Sequence, residues 1–128
     1  TAFYWDRDDA SREWSKRFEE RTGRMPGMVQ AGTYSSVLHY LRAIEAAGTD
    51  DGPAVAEKMK ELPVDDFFAP GGTVRADGRL VKEMYLVEVK TPAESSGPWD
   101  YYNVLRTIAP EDAAQPLEQS ACPFVKGN

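Results

Sequence analysis

Apolar residues recur at helical spacing through the first half of the chain and in strand-like runs through the second. Ala10, Trp14 and Phe18 stand four apart and share one face of a predicted helix, while Arg12, Lys16, Glu19 and Glu20 cover the other. Asp6, Asp8 and Asp9 crowd its start, where carboxylates favour the positive end of the helix dipole. Gly23 suits a C-cap, and Pro26 stops the helix continuing. Tyr34, Val37, Leu38, Leu41 and Ile44 form the stripe of a second helix, expected from about Thr33 to just before Gly48. Its small residues, Ser35, Ser36, Ala43, Ala46 and Ala47, point to close packing against a neighbour. Asp51-Gly52-Pro53 opens a third helix, faced by Val55, Met59 and Leu62 and ended by Pro63.

The flanking segments read differently. Ala2 to Asp6 predicts a short buried strand. Asp65 to Gly72 is a loop carrying Phe67 and Phe68, expected to pack onto the third helix. Thr73 to Arg75 and Leu80 to Lys82 are extended pieces around an Asp77-Gly78 turn. Met84 to Val89 is apolar on both faces, as a central strand would be. After a Ser/Gly/Pro loop, Trp99 to Ile108 predicts its hairpin partner, and a polar tail follows from Ala109. The order is thus a strand, three helices and two or three strands: an α/β chain with open sheet edges, expected to be part of a larger fold.

Composition narrows the classes without naming one. The chain has 128 residues, 41% hydrophobic and 28% charged, ordinary for one globular core. Net charge is −6 and the basic residues are scattered, which argues against nucleic acid or anionic membranes as partners. No apolar run approaches the about 18 residues of a membrane span. Thr1, leading straight into Phe3-Tyr4-Trp5, reads as a cut inside a longer protein.

Candidate chemistry is sparse. His39 is the one histidine, without partners for a metal or a nucleophile, and is expected to be structural. Asp6, Asp8 and Asp9 lack the central Gly and terminal Glu of a calcium loop. Asp50-Asp51 and Asp65-Asp66 read as cap and loop acids, and Gly71-Gly72 is too short to cradle phosphate. The aromatics Trp99, Tyr101 and Tyr102 lack the basic interleaving of a base-stacking surface. Cys122 can be a free thiol, half of a disulfide whose partner lies outside the chain, or a reactive thiol. No catalytic constellation, metal set or cofactor motif emerges, which favours a binding protein over an enzyme.

The motifs in order carry a resemblance. Trp14 through Phe18 leading to Arg21-Thr22-Gly23-Arg24-Met25-Pro26 is one. Ala31-Gly32-Thr33-Tyr34-Ser35-Ser36-Val37, Ala46-Ala47-Gly48-Thr49-Asp50, and Phe68 through Gly72 with Val74-Arg75-Ala76-Asp77-Gly78-Arg79 follow. Met84 through Lys90 and Gly97-Pro98-Trp99-Asp100-Tyr101-Tyr102 complete the set. Together they resemble the C-terminal part of type I periplasmic solute-binding proteins of ABC transporters, the leucine/isoleucine/valine-binding-like extracellular receptors. That resemblance implies a partial periplasmic-binding-protein type I fold: three helices of one lobe, crossing strands near Ala2–Trp5 and Leu80–Tyr85, and C-terminal strands of the other lobe. Residues 1–83 would belong to the N-terminal lobe with its crossing strands, and 84–128 would finish the C-terminal lobe and tail.

It implies a periplasmic, non-enzymatic importer component that binds an amino acid or an aromatic or other carboxylate and delivers it to an ABC permease. The missing N-terminal part of the same protein would complete it, and exposed strands would allow a homodimer. The loop before the second helix would line the cleft through Met28, Val29, Gln30 and Ala31, with Tyr34 nearby. Alternative readings are a ligand-sensing regulatory domain of the same fold, or a stand-alone interaction module.

Overall fold

A computed structural model describes residues 1–123 and 125. Its elements run α1 (Asp9–Thr22), α2 (Met28–Ala47), α3 (Gly52–Glu61), β1 (Thr73–Val74), β2 (Leu80–Val81), β3 (Met84–Val89), β4 (Tyr102–Ile108) and α4 (Pro110–Ala113), then a 3₁₀ turn at Leu117–Gln119.

Helix starts follow the predicted side chains. The Asp8 carboxylate caps α1 by accepting from Ser11 N at 2.7 Å, and Asp51 caps α3 by accepting from Ala54 N at 3.2 Å. Asp66 Oδ1 takes the Phe68 and Ala69 N–H groups, each at 2.9 Å, and folds the aromatic loop back on itself.

α2 departs from expectation twice. It begins at Met28, five residues before Thr33, because Gly27 serves as N-cap and Gln30 Oε1 accepts from Gly27 N at 3.0 Å. Its buried face is Ala31, Ser35, His39 and Ala43, four apart, whereas Tyr34, Val37 and Leu41 of the predicted stripe are exposed. Small side chains let α2 close on its neighbours. The Gly32 Cα lies so near Phe68 that a Cβ there would meet its Cζ at 3.3 Å. His39 is structural as predicted: it is buried, with Nε2 2.8 Å from the Met59 carbonyl of α3.

The core is aromatic. Phe3 meets Trp14, Phe67 and Phe68 with ring centroids 6.1, 5.8 and 6.3 Å apart. Phe67 stacks on Trp14 at 4.4 Å. The loop aromatics therefore pack on α1, α2 and the N-terminal segment, not primarily on α3 as the sequence suggested. Ala10, placed on the inner face of α1 by spacing, is exposed; Ser11, Trp14 and Ser15 are buried there instead.

The strands form two small antiparallel sheets, β1–β2 and β3–β4. In the first, Thr73 pairs with Val81 and Val74 with Leu80 across the predicted Asp-Gly turn. Gly72, just before it, is closely packed: a Cβ would lie 3.1 Å from the Ala69 Cβ and 3.2 Å from Leu80 Cδ1. In the second, Met84 to Val89 pairs with Ile108 to Tyr102, with a register shift at Leu86/Val87. The predicted strand from Trp99 begins three residues later, because Trp99 turns with φ of 71°. Among the described residues, the other side of β3 meets the Thr1 backbone, through Tyr85 N to Thr1 O at 2.9 Å and Thr1 N to Tyr85 O at 2.8 Å. The Ala2–Asp6 segment is accordingly buried at Phe3 and Tyr4, but it is not a strand and turns at Trp5-Asp6. The segment Leu80–Tyr85 is likewise interrupted at Lys82-Glu83 between β2 and β3.

Two cations tie these passing segments together. Arg7 donates to the Tyr85 hydroxyl and to the Phe67 carbonyl, each at 2.6 Å. The buried Lys82 donates to the Ala2 carbonyl at 2.8 Å and the Glu83 carbonyl at 2.7 Å, and its Nζ sits 4.5 Å from the Phe68 ring centre. Burial, reinforced by the Arg7 charge, lowers the Lys82 pKa from 10.5 to about 8. The folded protein releases that proton before the unfolded chain does, and the neutral amine keeps two N–H donors for its two carbonyls. The unfolded state thus binds more protons between pH about 8 and 10.5, so stability rises with pH across that window. Subtracting the profile of a Lys82→Met variant from the wild-type profile in denaturant titrations isolates this rise; parallel profiles would contradict it.

Candidate functional site

Three segments meet beside the aromatic core: the N-terminal Phe3-Tyr4-Trp5, the Met25–Met28 entry to α2, and the Trp99–Tyr102 approach to β4. Between them lies an open cleft of about 340 Å³. Tyr4, Trp5, Trp99, Tyr101 and Tyr102 supply its rings, and Met25, Pro26 and Met28 its aliphatic side. No Asp, Glu, Lys, Arg or His stands among its described lining residues.

The Trp99 carbonyl organises this wall. It accepts from Trp5 Nε1 at 2.7 Å, from Tyr101 N at 3.1 Å, and at 3.5 Å from the Tyr4 hydroxyl, whose pKa burial pushes up. The Tyr4 and Tyr102 rings meet edge-on at 5.4 Å. Trp99 is the one non-glycine described residue with positive φ. Its neighbour Asp100 is buried and anchors the turn: it accepts from Lys90 Nζ and from both Ser96 N and Ser96 Oγ at 2.9 Å.

The five residues expected at the site are spread over the first two turns of α2. Met28 lines the cleft and is half exposed. Val29 is 68% exposed and belongs to no described cavity. Gln30 caps the helix and faces a neighbouring groove of about 350 Å³, shared with Phe18, Arg24, Met25, Gly27 and Trp99. Ala31 is fully buried in the core. Tyr34 leans on Trp14 and Phe67, at 5.4 and 5.7 Å, away from the cleft. The sequence alone assigns no site role to the rings of Tyr4, Trp5, Trp99, Tyr101 and Tyr102. Two dense aromatic runs at opposite ends of the chain were their signal, and the pairing of Thr1 with Tyr85 is what brings those ends together.

Among the described residues, no group of His, Cys, Asp and Glu side chains could hold a metal ion. No helix there is long and apolar enough to cross a membrane. Cys122 is half-buried and unpaired within the chain. What the site can do chemically is enclose apolar and planar surface beside helix-terminal N–H groups at the start of α2.

Known proteins resemble this chain. A family model described as periplasmic binding protein matches residues 1–97. A crystal structure of a periplasmic binding protein from Burkholderia mallei is 44% identical, with a TM-score of 0.92 over 96% of this chain and 32% of that one. A branched chain amino acid ABC transporter periplasmic ligand-binding protein from Burkholderia xenovorans LB400 is 46% identical, with a TM-score of 0.93 over 98% of this chain and 34% of that one. The chain thus spans about a third of the solved structures it matches. No curated protein matches it. These relatives are binding proteins and not enzymes.

The hydrogen bonds that anchor the Trp99 turn make a pH prediction. The bond from Lys90, then those from Ser96, hold the Asp100 carboxyl at about 2 against its usual 3.8. A carboxyl depressed on folding contributes stability above pH about 4, which is lost as pH falls through about 2. Thermal unfolding of Asp100→Asn between pH 2 and 5 is expected to show a flatter profile than wild type; an unchanged profile would refute the anchor.

Proposed function

The chain belongs to the periplasmic binding protein family, and from that premise we propose that its whole protein is the solute-binding component of an ABC importer. Its ligand is a small organic solute, an amino acid or an aromatic or other carboxylate, handed to a permease in the membrane. The protein works in the periplasm, as its relatives do. Residues 1–83 then serve the N-terminal lobe and its crossings, and 84–128 the end of the C-terminal lobe. Polypeptide beyond these residues supplies the opposing wall of the cleft.

The observation that carries this reading is the continuous likeness over 96–98% of the chain to two solved binding proteins, joined to an apolar cleft free of catalytic groups. Binding sites of this class combine apolar walls with a few convergent polar groups. Met28, Val29 and Gln30 carry the unpaired N–H groups of α2 and can face a ligand carboxylate. Ala31 and Tyr34 support that turn through the core, Ala31 by permitting close packing and Tyr34 by bracing Trp14 and Phe67.

A ligand that binds only the folded state raises its stability by RT ln(1 + [L]/Kd), about 2.7 kcal/mol at a hundredfold excess over Kd. Thermal unfolding of the whole protein against a panel of amino acids and aromatic and aliphatic acids is expected to show a rise with at least one. A panel that leaves the midpoint unmoved would overturn the assignment.

A further inference from the structure

Trp99 stands where two cavities meet. On one side is the neutral aromatic cleft; on the other is the groove lined by Arg24 and Gln30. Met25 and Gly27 border both cavities as well, so the two spaces adjoin along one partition. The chemistry on the two sides differs. The cleft presents ring faces and no charged side chain among its described lining, while the groove carries a guanidinium and an amide.

The partition is built at a conformational cost. A tryptophan at φ 71° pays for a backbone region that residues with a Cβ seldom occupy, and glycine would occupy it freely. The surrounding hydrogen bonds fix that geometry through the Trp99 carbonyl and through Asp100, neither of which needs an indole at position 99. The ring itself is only half-buried and lies 6.2 Å from the Tyr101 ring. Packing within these residues therefore leaves the indole unexplained, and strain of this kind concentrates where a side chain must be aimed.

We propose that Trp99 is a specificity-determining wall and that the ligand is an aromatic carboxylate, its ring against Trp99 in the cleft and its carboxylate toward Arg24 in the adjoining groove. This rests on the reading of the protein as a solute receptor and sharpens its ligand class. A planar ring gains offset or edge contacts with Trp99, Tyr101 and Tyr102 that a branched aliphatic chain of equal area does not. The guanidinium supplies the charge partner that the cleft lacks.

The test is calorimetric titration of the whole protein with three probes: 3-phenylpropanoate, 3-cyclohexylpropanoate and 3-phenylpropan-1-ol. The first is expected to bind about tenfold more tightly than the second, the effect of one or two aromatic contacts, and more tightly than the third. Trp99→Gly, which frees the backbone, should erase the ring preference without lowering the unfolding midpoint. Trp99→Leu, which keeps apolar bulk, should erase it too if the glycine variant misfolds. Arg24→Gln should erase the preference over the alcohol alone. Equal affinity for the ring and cyclohexyl acids, or a ring preference that survives both Trp99 variants, would overturn the proposal. So would binding confined to amino acids of aliphatic side chain, which would leave the receptor reading standing. Failure of every solute, these probes included, would remove both.

Discussion

The burial of Phe3 is the contact on which the remaining parts converge. Its ring touches Trp14 from α1 and Phe67 and Phe68 from the aromatic loop, joining pieces more than sixty residues apart in sequence. Each such aromatic pair contributes about 0.5–1.5 kcal/mol beyond the area it buries. Phe3 is held there because the N-terminal segment is stitched on either side of it. Before it, Thr1 pairs with the Tyr85 backbone and the carbonyl of Ala2 receives the Lys82 amine; after it, Arg7 donates to the Tyr85 hydroxyl and the Phe67 carbonyl. The same passage carries Tyr4 and Trp5 to the Trp99 carbonyl and so creates the cleft. Core and site are thus two faces of one short segment.

That coupling explains the character of the site. The floor of the cleft is a buried segment that also packs in the core, and the Trp99 turn forms the wall beside it. Asp100 holds this turn from behind through Lys90 and Ser96. The described lining of the cleft holds no acidic, basic or histidine side chain, and no metal set stands among the described residues; what the cleft presents is ring and aliphatic surface.

Local signals in the sequence were legible where one side chain decides the outcome. Asp8, Asp51 and Asp66 cap or turn the backbone as their types require, and the Asp77-Gly78 turn joins β1 to β2. The inner face of α2 is only partly legible, because a period of 3.6 supports two stripes. Ser35 and Ala43, among the small residues expected to pack closely, are buried with Ala31 and His39, whereas the large Tyr34, Val37 and Leu41 of the expected stripe are exposed within these residues. The early start of α2 hid behind a glycine N-cap, since Gly27 has no side chain to announce it and Gln30 does the capping. The cleft was illegible for a different reason. Its rings come from residues 3–5 and 99–102, and only long-range pairing through Tyr85 makes them neighbours. The family resemblance, carried by ordered motifs, needed none of that pairing and agrees with the solved relatives.

Native-state hydrogen exchange at the Tyr85 amide, whose acceptor is the Thr1 carbonyl at 2.9 Å, tests the stitched segment most directly. If the N-terminal passage holds core and cleft together, this amide exchanges only on global unfolding, with the same free energy as the slowest helical amides. Exchange by a low-energy local opening, with α1 and α2 still protected, would show that the segment is an attachment to the fold and not its keystone.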